Sequence, residues 1–385
     1  MVDVALQHHV YTSHGGYRTV FVSDDMNPFL LKRLEMLASR LYPKVGGHSI
    51  LASYCPDGRH MVFTKAFRSG VDHVGRPRAC VHTVVVDTSE EEGLLSPAPR
   101  KDMFLERAPE RSDVPSLRSR MKPTLQTRSV LDAARNLVEP GLHTEPLPRS
   151  LLLASVANRR VFVTGDFFEL WEALGKVLPI VPRPSRYALC VVTGCGVADL
   201  PVDESLPRST FCCVGDADRP REDAPFISLD PFQAVNMPVE NRYSQYVMTQ
   251  PSRYVLGLVA LMERYAPALP LTFDAYSRFI NAFRTVEEHA REDGTLDIRD
   301  SLPVVLLALK DFVLAGFDSL ALDVFNEAAK ILAEQYGDRS VLENMDLVRE
   351  SLSNPVLGSG NKERQVEILR KWITKVVTKG VGGES

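Results

Sequence analysis

Residues 3–23 read DVALQHHVYTSHGGYRTVFVS, and this stretch predicts how the fold begins. In residues 3–12, Val4, Leu6, His8 and Val10 occupy every second position, the period of a β-strand with one face turned inward. The paired glycines that follow accept positive φ angles at low cost and predict a tight turn. Residues 17–23 then predict a returning strand, so the chain opens with a β-hairpin.

A helix is predicted directly after this hairpin. Asn27 suits the N-cap and Pro28 the first helical position. The leucines at positions 30, 34, 37 and 41 recur with helical spacing and form one apolar stripe. The helix is therefore expected to cover one face of a sheet.

Three more strands are predicted at residues 48–55, 60–68 and 80–87. A long loop, residues 69–79, separates the last two, and its glycines and aspartate are typical of turns. The resulting order, β-β-α-β-β-β, predicts an α+β fold in which an antiparallel sheet is covered by a helix.

Changes in pattern along the chain predict its domains. Residues 1–95 form the α+β domain. Residues 96–128 contain five prolines and eight Lys/Arg, and are interpreted as a solvated Pro/Arg-rich linker or a basic arm for an acidic partner. Residues 129–237 form a second α/β domain, and residues 238–385 an all-α helical domain with a short flexible tail.

The second α/β domain is predicted from apolar runs. Asp166 is expected to cap a helix that ends near Pro179. Helices are also predicted at 129–138 and 149–157, and strands at 160–165, 186–194, 209–215 and 225–230.

Composition narrows the function classes. The 385 residues carry 45 Lys+Arg and 49 Asp+Glu, a formal net charge of −4, which disfavours a nucleic-acid-binding protein. No apolar stretch is long enough to span a bilayer, and the N-terminus lacks the pattern of a secretory signal. A cytoplasmic location is expected. The six cysteines lack zinc spacing and are interpreted as structural.

Histidine is concentrated in the first 82 residues, which hold seven of the nine: His8, His9, His14, His48, His60, His73 and His82. No pair has metal-ligand spacing, and His8 and His9 point to opposite faces of one strand. His8 and His82 share their faces with aliphatic residues, so hydrogen-bonded core histidines are expected. The alternative is a metal-dependent hydrolase that uses this histidine-rich domain. No metal or cofactor is expected on the leading hypothesis.

The loop at 69–79 is the candidate partner-binding site, because polar loops on a rigid sheet often carry recognition. The candidate residues are Arg68, Asp72, His73, Gly75, Arg76 and Arg78. The alternative is purely local: the glycines make turns and Asp72 pairs with Arg76 or Arg68. Phosphate-binding loops and nucleophile elbows are absent from the sequence, so no catalytic residues are expected.

Several short motifs resemble the N-terminal domain, type 2, of the bacterial GTPase-associated protein 1 family. They are Tyr11-Thr12-Ser13, Gly16-Tyr17, Ser23-Asp24, the Asp72-x-x-Gly75-Arg76 loop, and His82 in the following strand. The stretches at 150–179 and 186–194 resemble the middle domain of that family. Together the resemblance covers about residues 1–230. The predicted element order is also similar to the longin-type fold.

The resemblance implies association with small Ras-like GTPases in bacterial signalling or conflict systems. The leading hypothesis is a non-catalytic adaptor that binds a small GTPase, sister subunits, or both. If the chain accelerates GTP hydrolysis, Arg76 or Arg78 is the candidate arginine finger. A further alternative is a scaffold that recruits partners through its helical C-terminal half. Nucleic-acid partners and membrane spans are not expected.

Overall fold

The computed structural model describes residues 2–41, 48–54, 59–90, 93–94, 99–138, 146–157, 159–193, 211–214, 223–266, 271–336, 345–353 and 359–381. Within these ranges the protein is mixed α/β, with one large sheet and many helices in the C-terminal half. The broad fold prediction is confirmed.

The N-terminal elements follow the alternation and the helical stripe of the sequence. Asn27 caps the first helix, since its side chain accepts a hydrogen bond from the backbone N–H of Phe29. The elements are β1 (Val2–Ser13), β2 (Tyr17–Val22), α1 (Pro28–Arg40), β3 (His48–Tyr54), β4 (His60–Val71) and β5 (Pro77–Asp87).

Two short strands follow, β6 (Ser89–Glu90) and β7 (Gly93–Leu94), which pair with each other. The next segment contains α2 (Leu117–Arg120) and β8 (Thr124–Thr127). β8 pairs with the first residues of β1 in antiparallel register. We refer to residues 99–127 as the strap.

The prediction that residues 96–128 are a solvated linker is wrong for the strap. Its side chains Leu105, Ala108, Leu117 and Met121 pack in one cluster against Val10, Phe67 and Cys80 of the sheet. Apolar area removed from water in this way stabilises the fold. The strap is therefore part of the core, in spite of its prolines and arginines.

The second half of the sheet is built from short strands, most of which pair in parallel. Asp166 caps its helix as predicted, accepting from the backbone of Phe168 and Glu169. The predicted strand at 186–194 is wrong at its start, where a short helix ends at Tyr187. The elements are α3 (Val130–Val138), α4 (Pro146–Val156), β9 (Val161–Thr164), α5 (Phe167–Gly175), α6 (Arg183–Tyr187), β10 (Cys190–Thr193), β11 (Phe211–Val214), β12 (Phe226–Leu229) and β13 (Phe232–Val235).

Among the described residues, eleven strands form one sheet. Its order is β13-β12-β9-β11-β10-β3-β4-β5-β1-β2, with β8 also paired to β1. The antiparallel N-terminal strands meet the parallel strands where β3 pairs with β10, with Thr193 opposite Ile50. The sheet thus continues through the ranges 1–95 and 129–237, which the sequence analysis assigned to separate domains.

The two faces of the sheet carry different layers. Leu37, Ala38 and Leu41 of α1 pack with Ala66 and Val81. The strap packs on the adjacent residues, Phe67 and Cys80, and adjacent residues of a strand face opposite sides. Trp171 of α5 contacts Phe63 edge-on at 5.6 Å between ring centroids, which places α5 on the strap side.

The cysteines in the described part of the chain are buried. Cys80, Cys190, Cys212 and Cys213 are free thiols in β5, β10 and β11. Burial raises the pKa of the Cys80 and Cys213 thiols to about 12, so both stay protonated and behave as small apolar groups. Cys55 and Cys195 lie outside the described residues.

The chain divides into two compact units. The first is formed by most of the residues up to Val239, and the second by the residues from Glu240 onward with short pieces near residues 138 and 182–184. In the second unit the elements are α7 (Arg242–Thr249), α8 (Ser252–Arg264), α9 (Phe273–Val286), α10 (Leu302–Ala315), α11 (Asp318–Tyr336), α12 (Met345–Ser353) and α13 (Ser359–Val381).

The helical unit has an aromatic core. The rings of Phe279 and Phe317 stack at 4.1 Å, and Phe312 lies 5.5 Å from Phe279. In α13, Val366, Leu369, Ile373 and Val376 are buried. None of the helices in the described ranges has both the length and the apolar character of a bilayer span.

Candidate functional site

The candidate site lies at the turn between β4 and β5. The predicted loop at 69–79 is mostly strand, because β4 continues to Val71 and β5 begins at Pro77. The turn itself closes when the N–H of Asp72 donates to the carbonyl of Arg76 at 2.7 Å. Gly75 supplies the positive φ of 79° that the turn needs. We refer to residues 71–77 as the hairpin tip.

Asp72 organises the hairpin tip. Its Oδ1 accepts from the backbone N–H groups of Val74 and Arg76, each at 2.9 Å. Its Oδ2 accepts two bonds from the Arg76 guanidinium, at 3.0 and 2.9 Å. The side chain of Asp72 is only 1% exposed. The local pairing of Asp72 with Arg76, one of the two partners predicted, is confirmed.

The electrostatics of Asp72 agree with this geometry. Burial alone would raise the pKa of its carboxyl, but the two backbone N–H donors and the Arg76 guanidinium outweigh it and lower the pKa. The carboxylate therefore stays charged and bonded at neutral pH. It is a structural group of the turn, with both oxygens occupied.

The hairpin tip exposes apolar side chains beside basic ones. Val71 is 63% and Val74 is 58% exposed. His73, Gly75, Arg68 and Arg76 are also exposed. Exposed aliphatic groups on a bonded turn, next to guanidinium groups, are suited to contact with another protein. The exposure of Val71 and Val74 could not be predicted, because the other valines of these two strands are all buried.

Arg78 points away from this surface. Its guanidinium donates to Glu110 of the strap at 2.8 Å and to the carbonyl of Ser69 at 3.1 Å. The residue is buried. The structure thus separates the two candidate arginine fingers: Arg76 is exposed but bonded to Asp72, and Arg78 joins the strap to the sheet.

The motif residues of the N-terminal strands are bonded within the fold. The Thr12 hydroxyl donates to the carbonyl of Ala79 at 2.8 Å, and the Tyr17 hydroxyl accepts from the N–H of the same residue at 3.0 Å. The rings of Tyr11 and Tyr17 stack at 6.1 Å. Ser13 is buried. These residues join β1 and β2 to the base of the hairpin tip.

Ser23 and Asp24 lie at the other end of β2. The Ser23 hydroxyl accepts from the backbone N–H of His8 at 2.8 Å. Asp24 forms an ion pair with Arg118 of the strap at 2.7 Å. Both contacts hold neighbouring segments together.

His8 and His82 are core histidines with hydrogen-bond partners, as predicted. Their rings stack at 5.3 Å between centroids, and His8 Nδ1 lies 3.1 Å from His82 Nε2. The remaining ring nitrogens bond to the strap, at the carbonyl of Lys122 and the N–H of Leu105. Burial lowers the pKa of both imidazoles.

His9, His14 and His73 lie in three different places, and the side chain of His48 is outside the described residues. His9 lies under α1, donating to Thr19, whose hydroxyl donates to Glu35; burial lowers its pKa to about 4. His14 donates to the carbonyl of Pro109, and His73 is on the hairpin tip. In the described part of the chain, no group of three or more His, Cys, Asp or Glu side chains is placed to hold a metal ion.

A cleft of about 530 Å³ lies in the helical unit and was not predicted. Its charged side chains pair with one another: Arg291 with Asp297, and Lys330 with Glu327. The Tyr265 hydroxyl donates to Asp323 at 2.9 Å.

No protein-family model matches this sequence, and no curated protein matches it.

Proposed function

We propose that this chain is a non-catalytic adaptor that binds a small Ras-like GTPase, or sister subunits of a complex, through the hairpin tip. The observation that carries the proposal is the exposure of Val71 and Val74 on a turn that Asp72 holds rigid. A preorganised turn loses little conformational entropy on binding, so more of the contact energy contributes to affinity.

The charge of the hairpin tip supports the choice of partner. Arg68 and Arg76 flank the two valines and are exposed, so an acidic partner surface with an apolar patch would be complementary. The order β1-β2-α1-β3-β4-β5 supports a longin-type fold for this part of the chain, which adds fold-level analogy to the proposal.

The test is binding of the full chain to a purified Ras-like GTPase encoded beside its gene, loaded with GDP or with a non-hydrolysable GTP analogue. We expect binding in at least one nucleotide state and no change in the rate of GTP hydrolysis. The double variant Val71→Asp/Val74→Asp should weaken binding at least tenfold. No binding in either state, or unchanged affinity of the double variant, would contradict the proposal.

The helical unit supports a second candidate, a scaffold that recruits a different partner. Val304 and Leu307 lie one helical turn apart on α10 and are both exposed, Leu307 by 58%. Leu307→Asp is therefore the matched control for the hairpin tip variant. If Leu307→Asp removes GTPase binding and Val71→Asp/Val74→Asp does not, the partner surface is on the helical unit.

A further inference from the structure

Two of the hydrogen bonds that fix the strap to the sheet come from one pair of histidines. At one point of the strap the N–H of Leu105 donates to His82 Nδ1 at 2.9 Å. At another, His8 Nε2 lies 2.8 Å from the carbonyl of Lys122. Between these points the strap contributes Ala108, Leu117 and other apolar side chains to the core. The histidine pair therefore bonds to the strap at Leu105 and beside Met121, the first and last strap residues of this cluster.

The direction of donation fixes the tautomers. Because His82 Nδ1 accepts from Leu105, its ring proton is on Nε2, which donates to His8 Nδ1. His8 then carries its proton on Nε2 and donates to the carbonyl of Lys122. Two ring protons satisfy the three contacts, and both imidazoles are neutral.

A third ring proton does not fit this arrangement. If it is placed on His82 Nδ1, it faces the N–H of Leu105. If it is placed on His8 Nδ1, it faces the N–H of His82. In either case two hydrogens occupy one contact, and a buried donor loses its acceptor, which is unfavourable. The pair can bind a proton only if a strap contact or the contact between the rings opens.

The surroundings of the pair disfavour an imidazolium as well. The ring of Phe104 lies edge-on to His82 at 6.0 Å. Burial contributes most to lowering the pKa of His82, and His8, His9 and Lys65 add to it. In the described ranges neither imidazole is paired with a carboxylate, so a positive charge would have no counter-ion there.

Two ion pairs of the strap, Arg78 with Glu110 and Lys122 with Asp102, do not release in mild acid. The hydrogen bond from Arg78 contributes most to lowering the pKa of Glu110, and the one from Lys122 does the same for Asp102. Both carboxylates therefore stay charged well below neutral pH. His14 also faces the strap, through the carbonyl of Pro109, and serves as a control.

We propose that the His8–His82 pair is a proton-binding latch, and that protonation of the pair releases the strap from the sheet while α1 stays packed on the opposite face. Release uncovers Val10, Phe67 and Cys80, an apolar surface that the closed strap occupies. The inference does not depend on the proposed function.

The latch makes a quantitative prediction. Both histidines are neutral when the strap is closed, because burial lowers their pKa below the ordinary 6.5, and each can take up a proton once the strap no longer buries it. Opening therefore takes up as many as two protons, and its equilibrium constant should rise by up to about 100-fold per pH unit as the pH falls below 6.5. Stability of the closed strap is complete above pH 6.5 and is lost as the pH falls from 6.5 towards the lowered pKa values.

The test is hydrogen exchange of the full chain, followed by mass spectrometry between pH 7 and 5 and corrected for intrinsic exchange. We expect peptides within residues 103–122 to lose protection as the pH falls, with a slope of two when the logarithm of the opening equilibrium constant is plotted against pH. Peptides of α1 and β3 should keep their protection. Loss of protection in α1 in step with the strap would be global unfolding and would overturn the proposal.

Glutamine variants test the assignment to this pair, since its amide can accept and donate like a neutral imidazole without titrating. His8→Gln or His82→Gln should reduce the slope to about one, and the double variant to about zero. His14→Gln should leave it at two. An unchanged slope in the double variant would overturn the proposal. If that variant does not fold, the proposal is still tested by comparing the protection of the strap with that of α1 in the wild-type protein.

Discussion

The strap and the hairpin tip have similar compositions, but the strap is largely packed into the core and the tip is exposed to solvent. Both are rich in proline or glycine and in arginine, and both were predicted to be loops on the surface. In the structure the strap carries Leu117 at 0% exposure, whereas the tip leaves Val71 and Val74 in solvent. Composition alone therefore does not distinguish a segment that completes a core from one that projects from it.

The difference comes from where each segment finds its partners. In the tip, the carboxylate of Asp72 accepts hydrogen bonds from backbone N–H groups only two and four residues away. The strap instead uses partners far away in sequence: Glu110 meets Arg78, and Leu105 meets His82. A segment whose bonds are local can stand in solvent, but one whose bonds are distant is held against the elements that supply them.

The largest expected effect tests whether the strap belongs to the core. Leu117→Ala removes a fully buried side chain that packs against the sheet. The free energy of unfolding should fall by about 2–5 kcal/mol, from lost apolar burial and the remaining cavity. Urea denaturation measures it. A loss under about 0.5 kcal/mol would mean that the strap is a surface segment after all.

The second prediction tests whether the hairpin tip is held by its own hydrogen bonds, independently of the sheet. Asp72→Ala removes the side-chain oxygen that accepts from the N–H groups of Val74 and Arg76, whereas Asp72→Asn keeps an oxygen for them. Hydrogen exchange at those two amides should accelerate strongly in Asp72→Ala and only slightly in Asp72→Asn, with the core amides unchanged. If the core amides also accelerate, the tip is not independent of the sheet.

A smaller effect is expected where the strap is joined to the base of the tip. Glu110→Gln breaks the charge pair with buried Arg78, but the carboxylate is 66% exposed and screened, so the loss should be about 1 kcal/mol. Because the pKa of Glu110 is lowered, this contribution is present above pH 4.5 and is lost as the pH falls through the folded value. Glu110→Gln should therefore differ from wild type at pH 7 and converge with it in strong acid.

The smallest effect is expected at the outer surface of the strap. Arg118 and Asp24 form an ion pair in which both side chains are about three-quarters exposed. Arg118→Ala should change the free energy of unfolding by less than about 0.5 kcal/mol in urea denaturation. It is the matched neighbour of Leu117→Ala, and a large loss here would show that charge, and not apolar burial, holds the strap.

Local signals in the sequence predicted the local structure. The alternation of β1 and β2, the Asn27 cap of α1, the Asp166 cap of α5 and the pairing of Asp72 with Arg76 all depend on residues a few positions apart, and all are found in the structure. They depend on backbone geometry and spacing alone.

What the sequence analysis missed depends on distant partners. The burial of the strap needs the face made by Val10, Phe67 and Cys80. The inward direction of Arg78 needs Glu110, 32 residues away, and the bond between His8 and His82 joins residues 74 apart. The strand β13, which is only four residues long, was also missed. Only the assembled sheet brings these groups together.

The pairing of β3 with β10 has a consequence for synthesis on the ribosome. Ile50 and Leu51 emerge early, but their partners Thr193 and Val192 follow only after the strap and several helices have been made. Until then β3 has an open edge in the middle of the future sheet, and such edges attract other chains. The nascent protein should therefore need a chaperone during this interval, and truncation before β10 should yield inclusion bodies.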